Sequence, residues 1–357
     1  MLIYNLIYVT LLIGIFIKSS NKSFGKYWFW LSSALIVGSI AFRHVDMGPD
    51  TYNYLQYFLH PDSPITKYQK EELEPGLTIL NRILGLFIEN QYVYNFIFSI
   101  LVLSPVIYLI KRYSRNAMFS LFLFISFSVG ISIYFLAFAA MRQMMAMALF
   151  CLLLDRFIKH NNNTDRGFYI LFFLMVMCHY SSLLTAILFL SYKFEFKKKT
   201  QVLIVITSAF IGYVIKPILP WFMFLAESVD KGFYFTSLHE NFMYSIVPTL
   251  PYVGIYLALI YSLKEKDCNS LWMKGLLCAV VLGNLLSFGN NIDRICAYFY
   301  ILSIIAIPNA IAISLKSKKL IIYSLQACLL CYFTYKYYFT LTLDGVWTLV
   351  PYKSCFD

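Results

Sequence analysis

Long apolar runs separated by short basic links follow one another along the chain. The first run covers Leu2–Ile17 and the second covers Tyr27–Phe42, with Lys18, Lys22 and Lys26 around the link between them. A helix needs about 20 apolar residues to cross about 30 Å of hydrocarbon. Only helices and closed barrels span bilayers, and a barrel would show alternating polarity, so these runs predict transmembrane helices.

The later runs repeat this pattern and predict an all-α polytopic membrane protein. Counting half-membrane helices separately, about twelve membrane segments are expected. Basic links favour the cytoplasm, which places both chain ends on the outer side. We therefore expect one transmembrane domain over 1–357, with outer loops at 43–91 and 220–244. The further spans are expected at 92–110, 116–134, from 142 to the basic link at 156, 201–219, 245–263, 271–288, 295–315 and beyond 319.

Two stretches do not fit an ordinary span. Residues 74–90 combine a short apolar core with Arg82, which predicts an interfacial or re-entrant helix in the first outer loop. Residues 167–192 have basic flanks on both sides, yet a helix of that length reaches only about 37 Å. Two half-helices that meet at CHYSS, with His179 and Ser181 at the break, satisfy both flanks.

Composition narrows the class of protein. Hydrophobic residues make up 60% of the chain, charged residues 13%, and the mean hydropathy is +0.68, values that exclude a soluble domain. The net charge of +11 is concentrated in the links between apolar runs, so it indicates membrane orientation and not a nucleic-acid partner. Most of the eight cysteines lie within apolar runs, and neither a disulfide framework, a metal site nor a cofactor is predicted.

Arginines interrupt the pattern at the predicted outer ends of three spans, at Arg43, Arg142 and Arg294. Positive charge is scarce there under the positive-inside rule, and the planar guanidinium fork suits phosphate. The sequence therefore predicts a phosphate-bearing ligand that is itself anchored in the membrane, such as a lipid-linked diphosphate. For each arginine alone, the alternative is snorkelling or an internal pair, as in Arg43 with Asp46 or Arg294 with Asp293.

Other polar residues leave alternatives open. His179 and Ser181 either pair with each other and join the two half-helices, or touch substrate. His44, Asp46 and Asp50 lack a DxD pair, which argues against a metal. The tyrosines of the first loop suit a membrane interface, namely Tyr52, Tyr54 and Tyr57. The acidic residues before residue 75 are interpreted as a solvated loop, namely Glu71, Glu72 and Glu74.

Several short motifs follow one another along the chain. In chain order they are Arg43 with GPDTYNY, then EPGLTILNRIL, RQMMAMALF, HYSSLL, DRICAYF and a final VPY. Together they resemble the motifs of the EpsG/Wzy group of bacterial polysaccharide polymerases. The series extends over nearly the whole chain. It departs from the family pattern at Pro49 and Thr51, where Thr and Tyr are frequent, and at Asp293, where Glu is frequent.

The resemblance implies polymerisation of oligosaccharide repeat units on undecaprenyl diphosphate at the outer face of the inner membrane, and a helical, GT-C-like fold. The expected partners are the lipid-linked repeat units, the bilayer and a chain-length regulator. Arg142 and Arg294 would stabilise charge on the diphosphate, while Asp50 and His179 would orient or deprotonate the acceptor hydroxyl. The residues expected to bind substrate are Arg43, Asp46, Tyr54, Gln143, Ser181 and Tyr298.

Three other functions compete with polymerisation. An O-antigen ligase would share the fold and the donor, but it usually has one larger outer loop than 43–90. A flippase or transporter would spread charge along a central cavity, whereas the charges here concentrate at one predicted face. A non-catalytic scaffold would need no convergence of arginines.

Overall fold

The computed structural model describes residues 1–16, 22–60, 74–128, 131–215, 249–286, 292–314, 319–342 and 349–357. Within these ranges the chain is helical and contains no strand. The helices in the first half are α1 (Leu2–Phe16), α2 (Lys22–Ala41), α3 (Thr51–Leu59), α4 (Pro75–Gly85), α5 (Gln91–Tyr113), α6 (Ala117–Ser126), α7 (Ile133–Leu136), α8 (Met141–Lys159) and α9 (Arg166–Cys178). Those that follow are α10 (Ala186–Tyr192), α11 (Lys198–Ile215), α12 (Leu250–Ser262), α13 (Glu265–Cys268), α14 (Leu271–Leu285), α15 (Ile292–Ser314) and α16 (Lys319–Thr342).

Two helices among the described residues are long and apolar enough to cross a membrane, α5 and the Arg294–Ser314 part of α15. Shorter apolar helices accompany them, among them α1, α6 and α9. An all-helical chain of this kind is consistent with a membrane protein. The count of about twelve membrane segments and the GT-C-like fold stay predictions.

The helices form two compact units. The first comprises Met1–Ser126, Ile133–Leu183 and Tyr332–Asp357, and the second comprises Phe127–Ser132 and Leu184–Cys331. In the first unit, α8 packs between α5 and α9, and α4 lies against α9 and α3. In the second unit, α14 packs against α15, α11 and α10. The single transmembrane domain over 1–357 stays a prediction, and the expected outer loop at 220–244 lies outside the described residues.

The break within 167–192 is confirmed. Helix α9 ends at Cys178, a 3-10 helix covers Tyr180–Thr185, and α10 follows. His179 stands between them with extended backbone, at φ −162° and ψ 117°. In the second unit, the Lys274 ammonium donates to the carbonyl oxygens of residues 191 and 192 at 3.0 and 3.1 Å, and also to that of residue 194. A cation here satisfies carbonyls that the end of a short helix leaves open.

The span expected at 116–134 is wrong as one helix. Helix α6 ends at Ser126, and α7 begins only at Ile133. The intervening sequence is rich in serine and glycine, which have low helix propensity. In addition, the Ser126 hydroxyl donates to the carbonyl of Phe122, a bond that competes with regular helix geometry.

The first loop contains a helix that the sequence analysis missed. Helix α3 buries Tyr54, Leu55, Tyr57 and Phe58, positions that recur with helical spacing on one face. Of its tyrosines only Tyr52 is exposed, so the interpretation of Tyr54 and Tyr57 as interfacial residues is wrong. The short helix expected within 74–90 is confirmed as α4, and its position at a membrane interface stays a prediction.

Candidate active site

One buried carboxylate, that of Glu74, holds an arginine and a histidine side by side. Its Oε2 forms an ion pair with Nη1 of Arg142, and its Oε1 lies 2.7 Å from Nδ1 of His179. The Nε of Arg142 donates to the hydroxyl of Tyr54 at 3.1 Å. These four residues, Tyr54, Glu74, Arg142 and His179, are called the Glu74 cluster.

Helix α4 brings Glu74 to His179. Glu74 is the N-cap residue of this helix, with extended backbone, and Pro75 follows at the first helical position, where a missing N–H costs nothing. The next residue, Gly76, touches the end of α9: a Cβ atom there would lie 2.9 Å from both N and Cα of Cys178. A glycine therefore permits the close approach that places Glu74 beside His179.

The other members of the cluster come from separate elements. Arg142 lies in the first turn of α8, and Tyr54 lies on the buried face of α3. His179 lies at the break after α9. The cluster therefore forms only where the ends of several helices meet.

Burial within the cluster is graded. The Glu74 side chain is 6% exposed, whereas those of Arg142 and His179 are 28% and 23% exposed. Among the described residues, neither Nη2 of Arg142 nor Nε2 of His179 has a hydrogen-bond partner. The carboxylate is thus more deeply buried than the two side chains that bond to it.

Glu74 is ionised at neutral pH. Burial alone would raise its pKa, but the hydrogen bond from His179 and the charge of Arg142 outweigh burial and lower the pKa to about 2. An ionised carboxylate only accepts hydrogen bonds, so Nδ1 of His179 is the donor. A neutral His179 then carries a lone pair on Nε2, which can take up a proton.

Acid is expected to weaken the cluster only well below neutral pH. The pKa of Glu74 falls from about 4.3 in an unfolded chain to about 2 in the fold. A lowered pKa gives stability that is fully present above the unfolded value and is lost as the pH falls through the folded value. Thermal unfolding in detergent should therefore show a gap between wild type and Glu74→Gln that is present at about pH 5 and shrinks below about pH 4. An undiminished gap in acid would contradict this.

Arg43 is almost fully buried, at 2% exposure. Its Nη1 donates to the carbonyl of Ile40 at 2.8 Å, and its Nη2 lies 3.5 Å from the Thr51 hydroxyl. Thr51 in turn donates to the carbonyl of Phe138 at 2.6 Å. Arg43 therefore connects α2, the start of α3 and the segment that precedes Arg142, and its contact with substrate stays a prediction.

The C-terminal tail, residues 349–357, forms backbone hydrogen bonds with the segment around Arg43. The amide of His44 donates to the carbonyl of Lys353 at 3.0 Å, and the amide of Cys355 donates to that of Phe42 at 2.8 Å. These bonds lie on either side of an isolated bridge between Arg43 and Ser354. Tyr352, from the final VPY motif, donates its hydroxyl to the carbonyl of Ser39.

Two pairings that the sequence left open do not form. Asp46 lies 3.3 Å from His44, whereas Arg43 bonds Ile40 and Thr51, so a pair between Arg43 and Asp46 is wrong. A pair between His179 and Ser181 is wrong: the imidazole bonds Glu74, and the buried Ser181 hydroxyl has no hydrogen-bond partner in the described part of the chain. Asp50 stands as the N-cap residue of α3, and its role stays a prediction.

The remaining candidate residues do not belong to the Glu74 cluster, and some lie outside the residues that the structure describes. Gln143 is buried directly after Arg142. Arg294 and the buried Tyr298 lie one turn apart on α15, in the second unit, and the convergence of Arg294 with Arg142 stays a prediction. The side chain of Asp293 is outside the described residues, as are Glu71 and Glu72.

Glu74 is the functional candidate that sequence reasoning missed. Its interpretation as part of a solvated loop is wrong, because it is buried and bonds both Arg142 and His179. A signal was present in the sequence: Glu-Pro-Gly places a carboxylate directly before a helix start that a glycine allows to pack closely. A cation buried at a helix end also needs a nearby anion.

These features define an all-helical protein, consistent with a membrane protein, in which a partly exposed polar cluster lies where helix ends meet. The family model described as the EpsG family matches residues 26–354, and the chain belongs to that family. Comparison with curated proteins and comparison with solved structures each gave no significant match. Membership of the EpsG family confirms the resemblance noted from the motifs and supports a polysaccharide-polymerase type of function.

Proposed function

We propose that the protein transfers a growing glycan from undecaprenyl diphosphate to the next lipid-linked repeat unit, at the outer face of the bacterial inner membrane. The observation that carries this proposal is the Glu74 cluster, in which one carboxylate fixes Arg142 beside His179. Such a transfer needs one group for the departing diphosphate and another for the attacking hydroxyl. The bilayer, the lipid-linked repeat units and a chain-length regulator are the proposed partners.

Arg142 acts on the donor. As the bond between the anomeric carbon and the diphosphate oxygen breaks, negative charge builds on the diphosphate. The side chain of Arg142 is 28% exposed, and its Nη2 donates to this charge. Glu74 and Tyr54 hold the guanidinium in place. Donors that are oriented before the reaction lower the barrier most effectively.

His179 acts on the acceptor. The acceptor hydroxyl oxygen attacks the anomeric carbon, and its proton passes to Nε2 of His179. Glu74, which accepts the hydrogen bond from Nδ1, stabilises the resulting imidazolium. Asp50 remains a candidate for orienting the acceptor, and Arg294 remains the second candidate ligand of a diphosphate.

A surface-polysaccharide ladder tests the proposal. Cells that lack the protein should show only single repeat units, and the wild-type gene should restore the ladder. Arg142→Ala should not restore it. Arg142→Lys should also fail, because an ammonium lacks the planar fork with which the guanidinium bonds Tyr54 and Glu74 through separate nitrogens and keeps a third nitrogen for phosphate. Arg166→Ala, at an exposed arginine that begins α9, is the matched control and should restore the ladder.

Other results would point to other functions. Normal polymer length with Arg142→Lys would remove the diphosphate role of Arg142. Accumulation of lipid-linked polymer in cells without the protein would indicate a ligase. An unchanged ladder in those cells would remove the polymerase function and favour a transporter.

A further inference from the structure

A cavity of about 560 Å³ lies between α3 and α4. Its volume is within the range of about 300–1,000 Å³ that is usual for small-molecule sites. Tyr57 and Phe58 contribute aromatic walls from α3, and Thr78, Asn81 and Arg82 contribute polar groups from α4, with Glu89 beyond the helix. The proposed transfer reaction uses none of these residues.

The polar groups identify the kind of occupant. The amide of Asn81 is oriented by Tyr94, whose hydroxyl donates to Oδ1 at 2.7 Å, so its NH₂ group remains to donate elsewhere. Tyr94 is itself stacked on Phe58, with ring centroids 4.0 Å apart. A hydrocarbon chain would leave the polar groups without partners, at a cost in free energy. A sugar offers hydroxyls to them and an apolar ring face to the aromatic walls.

The cavity lies next to the Glu74 cluster. Helix α3 supplies Tyr54 to the cluster and Tyr57 to the cavity, and their ring centroids are 6.2 Å apart. Helix α4 begins directly after Glu74 and carries Asn81 along the cavity, about 10 Å further along the helix axis. A molecule with its diphosphate at the cluster would therefore reach the cavity with the groups next to that diphosphate.

The other face of α4 is apolar and exposed. Ile79 and Ile83 are 52% and 51% exposed, and their spacing of four residues places them on one stripe of the helix. Such a stripe suits contact with lipid. Helix α4 would thus lie between the bilayer and the cavity, where a lipid carrier and its glycan have to be separated.

We propose that this cavity is a glycan subsite, which binds a sugar of the lipid-linked repeat unit while the Glu74 cluster binds its diphosphate. The inference rests on the proposed function. It assigns Tyr57, Thr78 and Asn81 to recognition of the sugar and leaves the chemistry to the cluster.

A cavity-filling variant tests the subsite. At Gly85, which lines the cavity, an added Cβ would meet only one described atom, Cε2 of Phe58 at 3.9 Å, so Gly85→Trp has room to enter. Gly38→Trp is the matched control, because a Cβ at Gly38 on α2 likewise meets one ring carbon at 3.9 Å, from Phe42. Both full-length variants would be purified in detergent and titrated with two probes. These are bare undecaprenyl diphosphate and the lipid-linked repeat unit extracted from cells that lack the protein.

We expect wild type and Gly38→Trp to bind the glycan-bearing lipid about tenfold more tightly than the bare carrier. Gly85→Trp should bind both probes equally, with its affinity for the bare carrier unchanged. Thr78→Val, which removes a hydroxyl at nearly constant volume, should reduce the preference about threefold, and it replaces Gly85→Trp if that variant does not fold.

Two results would overturn the subsite. One is an undiminished preference for the glycan-bearing lipid in Gly85→Trp or, if that variant does not fold, in Thr78→Val. The other is equal weakening of both probes in Gly85→Trp, which would indicate that the cavity holds the carrier lipid. The proposed function fails separately, if Arg142→Ala leaves the affinity for bare undecaprenyl diphosphate unchanged.

Discussion

Glu74→Gln is expected to reduce the rate of polymerisation by a factor on the order of 10²–10⁴, although Glu74 is more deeply buried than the Arg142 and His179 side chains assigned to substrate. Glutamine has one acceptor oxygen and no charge, so it cannot bond Arg142 and His179 in the way that the two carboxylate oxygens do. The arginine would lose its orientation, and the histidine would lose both its fixed tautomer and the charge that stabilises its protonated form.

The initial rate of purified protein with lipid-linked repeat units measures this effect. Glu195→Gln, at an exposed carboxylate in the second unit, is the matched control and should leave the rate unchanged. Glu74→Gln combined with His179→Ala should be little worse than Glu74→Gln alone, because residues that act as a unit are not additive. Additive losses, or a normal rate with Glu74→Gln, would remove the coupling between the two residues.

Gly48→Ala is expected to lower the free energy of unfolding by about 2–5 kcal/mol. Gly48 has φ +87°, in the left-handed region that a residue with a Cβ adopts only with strain. A Cβ there would also overlap the backbone carbonyl of Phe138, which cannot move aside as a side chain can. The same carbonyl accepts the hydrogen bond from Thr51, so α3 and its Tyr54 would shift as well.

The thermal midpoint in detergent and the yield of folded protein check this prediction. Gly254→Ala is the control, because an added Cβ at this glycine of α12 meets no described atom within 4 Å, and alanine favours a helix. It should unfold at or above the wild-type temperature. If Gly48→Ala unfolded at the same temperature as Gly254→Ala, the tight turn before α3 would not be needed for stability.

Much of the helical framework could be predicted from the sequence, because apolar runs and their flanking charges act locally. The break around His179 is an example: basic flanks and a length too short for two crossings required it. The position of Arg142 at the start of a helix could be predicted from the same kind of local pattern. The division of the run 116–134 was missed because its serines and glycine weaken a helix while the run as a whole stays apolar.

The partners of the charged residues could not be predicted, because they depend on contacts between distant segments. Glu74 and Arg142 are 68 residues apart, and Glu74 and His179 are 105 apart. Hydrophobic periodicity gives no information on which helix ends meet. Helix α3 was missed for a related reason, since its tyrosines resemble interfacial residues until the packing that buries them is known.

The bridge between Arg43 and Ser354 has a consequence for biosynthesis. A ribosome that adds about 5–20 residues per second reaches the tail roughly 15–60 s after it has made the end of α2. During that interval the backbone of residues 42–44 lacks the hydrogen bonds that Lys353 and Cys355 provide. The first loop is therefore completed only after translation of the tail, and a nonsense mutation anywhere before residue 349 would leave the segment around Arg43 without that support.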